Sequence, residues 1–403
     1  MFLCIIESGI QDGEAWFGIG TFIFRQVCRH WNEVAVRFPQ LWVRWPASST
    51  EAWPLFNARS KGAPLFLTWR PCYPSDSCPD VLKDPALPGR VRQLYFSGSS
   101  EQLGQLIDGF GSSSPINVSS LRLGITFRVQ GHLACVLPFS FPKLSRLQIG
   151  NFQPDSSSPI FTTSNLTSLN LSFHDDTGLR YTLAQLSRIL QKHPNLRELD
   201  LKDGATPQAE SPEAPVPCVL PRLADLKLHS TPGRILGLIN LIGMSSPLHN
   251  VVLHFRYPRD PTVPALVDAV KKILAAYYEC KGLDHSRKAD CLTVELRSRG
   301  LCDPLTFVAR SHSPPTSNPQ PILKLQFSDS DKLSELLSLF PLDDVQEFTA
   351  DGLKFSSDEY CTVLQRMKGL LHLSLTELDF RPVLEVINSY DPGASKRGTG
   401  TSH

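Results

Sequence analysis

Two histidine-containing segments have residue types that could bind a metal ion or perform acid–base chemistry. His174, Asp175 and Asp176 are consecutive, and His249 and His254 are five positions apart. The first segment directly follows the strand pattern LNLS, so we predict that it caps a turn. The second pair brackets a predicted strand, and an odd spacing places the two side chains on opposite faces of it. Neither segment therefore predicts a functional site.

The ten cysteines lack the spacing of a zinc site or of a disulfide framework. No C-x-x-C pair and no tight Cys/His cluster occurs in the sequence, whereas zinc ligands usually come in closely spaced pairs. The apolar N-terminal run MFLCII has no basic residue before it, so it makes a poor secretion signal. We predict free, mostly buried thiols in a protein of the cytoplasm, the nucleus or both.

Signatures of catalysis and of other ligand classes are also missing from the sequence. It contains no G-x-S-x-G, Walker or H-E-x-x-H string, and Gly18 and Gly20 lack the third glycine of a dinucleotide loop. With 40 basic and 39 acidic side chains the net charge is +1, which disfavours a nucleic-acid-binding surface. No stretch approaches the ~20 apolar residues that cross a bilayer. We therefore expect no enzyme activity, no cofactor, no metal, no nucleic acid and no membrane.

A leucine pattern recurs along the chain and predicts the elements of the fold. The strings PKLSRLQI, SNLTSLNL, PNLRELDL and PRLADLKL align as Leu-x-x-Leu-x-Leu/Ile. Their central residues are Leu147, Leu169, Leu199 and Leu226, and a fifth copy is centred on Leu373. Units of ~20–29 residues are typical of leucine-rich repeats, and the four consecutive copies are spaced close to that length.

Looser apolar triplets and helical patterns fill the intervals. Further strands are predicted around the following residues: Leu67, Leu94, Leu121, Val251, Val294, Leu325 and Phe348. Apolar residues three and four apart predict helices over the following ranges: 100–110, 182–193, 233–244, 264–280, 330–340 and 357–369. We predict an α/β fold, a leucine-rich-repeat solenoid in which a curved parallel sheet carries helices on its outer side.

Residues 22–42, FIFRQVCRHWNEVAVRFPQLW, contain a more specific pattern. Apolar residues at steps of four and three predict an amphipathic helix that Pro39 ends. Its buried face is predicted to carry the following residues: Val27, Trp31, Val34 and Ala35. The motif V-C-R-x-W, followed by P-x-L-W, resembles the second half of the F-box of fungal F-box-like proteins. The next segment, NARSKGAPLFLTW, resembles the stretch immediately after the box in that family.

The resemblance extends over about residues 22–386 and implies a function. In that family the F-box docks on the Skp adaptor of an SCF-type ubiquitin ligase and its cullin complex, and the repeats hold the protein to be ubiquitylated. Carried over by position, the adaptor-binding residues would be Val27, Cys28, Trp31, Ala35, Leu41 and Trp42. Each of them could instead be a core residue that joins the box to the repeats. The family implies a substrate receptor in ubiquitin-dependent protein degradation, with no catalytic residues of its own.

The chain departs from the family at its start. The box of the family opens with a Leu-Pro-x-Glu-Ile/Leu helix, and residues 1–21 do not match it. We therefore expect weak adaptor binding, and the alternative function is a leucine-rich-repeat interaction scaffold without a ligase connection. Five segments are predicted: an atypical N-terminal segment (1–21), a partial F-box (22–45), a connector (46–64), the repeat domain (65–390) and a disordered tail (391–403).

The strand pattern also predicts a surface for the unknown substrate protein. Alternate side chains of a strand point to opposite faces, so the neighbours of the buried leucines should line the open face of the sheet. We name as the central patch five such neighbours, which are the predicted partner-binding residues: Glu198, Asp200, Asp225, Lys227 and His229. The alternative is a solvated sheet face with no partner.

Overall fold

The structure is a computed structural model of the 403-residue chain. It describes residues 29–46, 53–71, 87–110, 117–126, 141–163, 165–173, 180–203, 215–243, 250–256, 293–299, 306–310, 321–325, 347–351, 357–368 and 372–376, and the single residues 73, 79, 82, 84 and 272. The chain is an α/β protein with a large parallel sheet and helices. It divides into two compact units. The first comprises Met1–Tyr181 with Arg188–Leu196, and the second Thr182–Ser187 with Arg197–His403.

The first unit contains strands β1 to β6 in chain order. They are Arg44–Pro46, Leu65–Trp69, Val91–Gly98, Ser120–Ile125, Arg146–Gly150 and Ser168–Ser172. Each strand pairs in parallel with the next one along the chain. The helices are α1 (Arg29–Arg37), α2 (Trp53–Ser60), α3 (Leu87–Arg90) and α4 (Ser100–Phe110), with single 3-10 turns at Pro39–Trp42 and Pro159–Phe161. Parallel neighbours in chain order agree with the repeated strand pattern.

The leucine triplets explain why these strands form where they do. In β5 and β6 the residues alternate between buried and partly exposed positions, with Leu147, Ile149, Leu169 and Leu171 at most 2% exposed. The register places each of these residues beside its equivalent on the next strand, as in the pair Leu147 and Leu169. Rows of apolar side chains therefore form the inner face of the sheet, and the predicted alternation is confirmed for these triplets.

A repeated hydroxyl group ties the chain just before β4, β5 and β6 to the equivalent position at the preceding strand. Ser119 donates to the carbonyl of Arg92 at 3.1 Å, Ser145 to that of Ser119 at 3.0 Å, and Thr167 to that of Ser145 at 3.0 Å. These three side chains follow the first apolar residue of their triplets, so the sequence repeat becomes a ladder of side-chain to backbone hydrogen bonds. The same three carbonyls also accept the backbone N–H of Ser119, Ser145 and Thr167, at 2.7, 2.9 and 2.8 Å, so each hydroxyl adds a second hydrogen bond to a carbonyl that is already paired.

Two helices begin with reciprocal capping interactions. At α4 the Ser99 backbone N–H donates to Gln102 Oε1 at 2.8 Å, and the Gln102 N–H donates to Ser99 Oγ at 3.2 Å. At α5 (Leu183–Gln191) the same pair of bonds joins Thr182 and Gln185 at 2.9 and 3.1 Å. Each box satisfies two N–H groups that the helix itself cannot satisfy. The predicted helices over 100–110 and 182–193 are confirmed.

The N-terminal elements pack around tryptophan rings. Helix α1 ends at Arg37, Phe38 is extended (φ −101°, ψ 96°), and Pro39 opens the 3-10 turn, as the proline predicts. The Trp42 ring meets Phe56 of α2 edge-on at 5.4 Å between centroids, and the Arg59 guanidinium lies 4.5 Å above it. Strand β1 and helix α2 fall in the segments predicted as the end of the box and as the connector.

The predicted buried face of α1 is wrong at one position. Val34 is 37% exposed, and Phe38, which follows the helix, is 41% exposed. An apolar stripe is buried only where a second element covers it, and at these two positions the described part of the chain supplies none. The side chains of Val27, Trp31 and Ala35 lie outside the described residues.

The second unit contains the remaining strands, β7 to β16. They are Glu198–Lys202, Cys218–Val219, Asp225–Ser230, Ile242–Gly243, Asn250–Arg256, Thr293–Arg299, Thr306–Arg310, Pro321–Leu325, Glu347–Asp351 and His372–Thr376. Strands β7, β9, β11, β12 and β14 are parallel neighbours in that order, and β8 pairs in parallel with β10 as a separate two-stranded sheet. The helices are α6 (Pro232–Leu241) and α7 (Ser357–Arg366).

Strand β13 is the exception to the parallel pattern. It lies between β14 and β15 and is antiparallel to both. The sequence analysis predicted a strand on either side of it in the chain, but none here. Residues 311–320 connect β13 to β14, and ten residues are fewer than a parallel crossover usually needs, so the short connection favours an antiparallel pair. The helices predicted over 264–280 and 330–340 lie outside the described residues, apart from the isolated helical residue Lys272.

Candidate functional site

The central patch occupies one face of two adjacent strands of the second unit. Strands β7 and β9 are parallel, and their register pairs Glu198 with Asp225 and Asp200 with Lys227. The same register pairs Lys202 with His229. The structure therefore brings together all five residues of the predicted patch. Local sequence explains this, because each of them alternates with a leucine that is at most 1% exposed.

The patch is acidic at one end and basic at the other, because Glu198 lies beside Asp225 whereas Lys202 lies beside His229. Glu198 and Lys227 are exposed, whereas Asp200, Asp225 and His229 are half-buried. His229 Nε2 lies 3.6 Å from Asp200 Oδ1, with the two side chains 19% and 30% exposed. Such a separation permits an ion pair when the imidazole is protonated, but it is too long for a hydrogen bond.

The carboxyl group of Asp200 is partly buried and lies near two lysines. Burial raises the pKa of its carboxyl group, and the neighbouring charges of Lys227 and Lys202 lower it in part. Lys202 was not among the predicted patch residues, although the alternation that selects Glu198 and Asp200 extends to it. The three carboxylates of the patch and the ammonium groups of Lys227 and Lys202 can form charge-assisted hydrogen bonds with a partner, and their order along two strands would fix its orientation.

On the next strand, β11, one position of the open face is buried. Val252 of β11 pairs with Lys227 of β9, so alternation predicts that it shares the open face. It is nevertheless only 6% exposed. The prediction of an open position is therefore wrong at Val252, because coverage of a strand face depends on distant parts of the chain rather than on the strand itself.

The predicted adaptor-binding residues divide into two groups. Leu41 and Trp42 are 7% and 0% exposed, so the structure supports the core alternative for them. A ring that packs against α2 in the protein interior can contact another protein only if the surrounding structure opens locally. Val27 and Cys28 lie outside the described residues, and so do the side chains of Trp31 and Ala35, whose backbones belong to α1.

Within the described residues, the other side chains with possible chemistry do not form a second site. His174, Asp175, Asp176 and His249 lie outside the described residues, and His254 falls within β11 rather than beyond its end. In the described part of the chain no group of three His, Cys, Asp or Glu side chains could hold a metal ion. Cys218 and Cys361 are free thiols. Burial raises the pKa of the Cys218 thiol to about 11, which keeps it protonated and unreactive at neutral pH.

Comparisons with known proteins add no relative. No protein-family profile matches the chain, and no curated protein matches it either. None of the helices within the described ranges is both long enough and apolar enough to cross a membrane.

Proposed function

We propose that this chain is the substrate-recognition subunit of an SCF-type ubiquitin ligase, with a partial F-box and a leucine-rich-repeat solenoid. The observation that carries the proposal is the motif V-C-R-x-W followed by P-x-L-W in residues 27–42. Its helix ends at Arg37, and the 3-10 turn that Pro39 opens inserts Leu41 and Trp42 into the core. The segment is thus joined firmly to the sheet that comes after it, as a docking module must be in order to position a bound substrate.

The repeat part of the proposal rests on the arrangement of strands and polar residues. Parallel neighbours in chain order, leucines in register and the hydroxyl ladder all recur with the sequence repeat. On this proposal the central patch contacts the substrate protein, because its acidic and basic side chains are fixed on two paired strands. The patch adds no catalytic group, so ubiquitin transfer belongs to the associated conjugating enzyme.

A second candidate function is an interaction scaffold without a ligase connection. The burial of Leu41 and Trp42 favours it, since it removes two of the six predicted adaptor contacts from the surface. The sequence of residues 1–21 also does not match the Leu-Pro-x-Glu-Ile/Leu motif that opens the box in fungal F-box-like proteins. A few apolar anchors usually carry most of the energy of an interface, so losing them should weaken adaptor binding severely.

Adaptor binding distinguishes the two functions. The purified chain and a version fused to a complete opening helix are compared for capture of the Skp adaptor. We expect weak binding by the chain and strong binding by the fusion. In the fusion, Val34→Asp should weaken capture at least tenfold, because Val34 is an exposed apolar residue of α1. Val216→Asp, at a position 62% exposed in the second unit, is the matched control and should leave capture unchanged.

Failure of the fusion to bind the adaptor would favour the scaffold. The central patch is tested separately by the double charge reversal Glu198→Lys and Asp200→Lys, with captured proteins identified by mass spectrometry. If every protein held by the unaltered chain is still held by this variant, the patch is not the partner-binding surface.

A further inference from the structure

The open face of the first unit has a charge pattern unlike that of the central patch. We define as its arginine face the outward-pointing side chains of β1–β6 and the residue after β2. This face contains four arginines, Arg44, Arg70, Arg122 and Arg146, and no aspartate or glutamate. A sheet face in a chain of net charge +1 is expected to carry both signs, as the central patch does. The excess of positive charge is therefore local to this surface.

Aromatic rings hold three of these guanidinium groups in place. Arg70 and Arg122 lie over the Tyr95 ring, 4.4 and 4.6 Å from its centroid. Arg44 lies 5.2 Å from the centroid of Phe66. A stacked guanidinium keeps its N–H donors in its own plane and directs them past the ring edge, where they can bind a carboxylate through two parallel hydrogen bonds. The stacking thus reduces the conformational entropy that the arginines lose when they bind an anion.

The two arginines on strands β4 and β5 are accessible to a partner. Arg122 and Arg146 are exposed, and neither forms an ion pair with any carboxylate that the structure describes. The register places Arg122 beside Tyr95 and beside Gln148, and Arg146 beside Ser120. From β1 to β5 the face spans four strand spacings, or about 19 Å, which an extended segment of about six residues would cross.

We propose that the arginine face binds an extended acidic segment of a partner protein. The alternative of single-stranded nucleic acid fits less well, because base stacking needs an open aromatic ring and Tyr95 is already covered by guanidiniums from the strands on both sides. A groove that follows the sugar–phosphate backbone of a nucleic acid also needs more cationic groups than these four arginines. Carboxylates need no open aromatic ring, and their two oxygens match the paired N–H donors of the planar guanidinium group. This surface is separate from the central patch, and the proposal holds whether the chain is a ligase receptor or a scaffold.

The test uses a fluorescein-labelled oligoglutamate of about eight residues, long enough to cross the face. Its binding to the full chain is measured by fluorescence anisotropy at low and at physiological salt. We expect binding that weakens with salt, since the contacts are exposed ion pairs. The double variant Arg122→Glu and Arg146→Glu should lose at least about tenfold in affinity, because each reversal replaces an attraction by a repulsion. The matched control reverses two exposed charges outside the face, Lys143→Glu and Arg222→Glu, and should stay within about twofold.

Three further variants separate the effect of charge from the effect of misfolding. Arg146→Glu alone changes an exposed side chain, so it keeps the test valid if the double variant does not fold. Tyr95→Leu should weaken peptide binding because it removes the ring that orders two arginines, and Tyr95→Phe, which keeps the ring, should restore it. Equal binding by the unaltered chain and the Arg146→Glu variant would overturn the proposal. The proposal would also be overturned if an oligothymidylate of equal length bound more strongly than the peptide and displaced it.

Discussion

His193 should make the stability of the first unit depend on pH between about pH 7 and pH 5. The residue follows α5 and belongs to the first unit, and it is 0% exposed. Burial lowers the pKa of its imidazole from 6.5 to about 4. A backbone interaction with Thr163 opposes this shift in part, and the charge of Lys192 adds to it. The folded protein therefore keeps this histidine neutral in a pH range where the unfolded chain protonates it.

The size of the effect follows from the two pKa values. Since the folded pKa is the lower one, the unfolded state binds more protons as the pH falls below 6.5, and stability is lost until the pH reaches about 4. At pH 5 the imidazole is almost fully protonated in the unfolded state and almost fully neutral in the folded state. The loss between pH 7 and pH 5 is then about 2 kcal/mol. That is a considerable part of the ~5–15 kcal/mol that stabilises a domain.

Urea unfolding followed by tryptophan fluorescence measures this loss of stability in the first unit. All six tryptophans lie at or before Trp69, so the signal reports the first unit. The variant His193→Gln has no proton to gain, and its stability should fall between pH 7 and pH 5 by about 2 kcal/mol less than that of the unaltered chain. His30→Gln, at an exposed position of α1, should behave like the unaltered chain. An identical pH dependence in the His193→Gln variant would show that burial does not keep this imidazole neutral.

Two further predictions concern packing in the first unit, and both are checked by the same unfolding measurement. Trp42→Ala should cost about 3–5 kcal/mol, because the ring is fully buried between Phe56 and Arg59. A cost below about 1 kcal/mol would mean that the turn is not part of the core. Gly98→Ala should destabilise by about 1–3 kcal/mol, since its Cβ would lie 2.8 to 2.9 Å from three side-chain atoms. Gly104→Ala, in open space within α4, should instead stabilise by about 0.5–1 kcal/mol, and equal signs for the two glycine variants would contradict this account.

The sequence by itself determined the strands that carry the leucine triplets, because burial alternates locally within a strand. The triplets centred on Leu147, Leu169, Leu199 and Leu226 all fall on strands, and these leucines are at most 2% exposed. A proline likewise acts on its immediate neighbour, so the end of α1 before Pro39 followed from the sequence. The residues of the central patch were predictable for the same reason, since their outward direction follows from the leucines beside them.

Only the tertiary structure decided which apolar and charged groups are covered. Val34 has the same helical spacing as a core residue but is exposed, whereas Val252 sits on the polar side of its strand but is buried. Trp42 was predicted to bind the adaptor, yet Phe56 and Arg59 of helix α2 enclose its ring. These neighbours belong to a separate element, and no local pattern around Trp42 encodes their position. Long-range packing also sets the pKa shifts of Asp200 and His193, because desolvation depends on every group that surrounds the side chain.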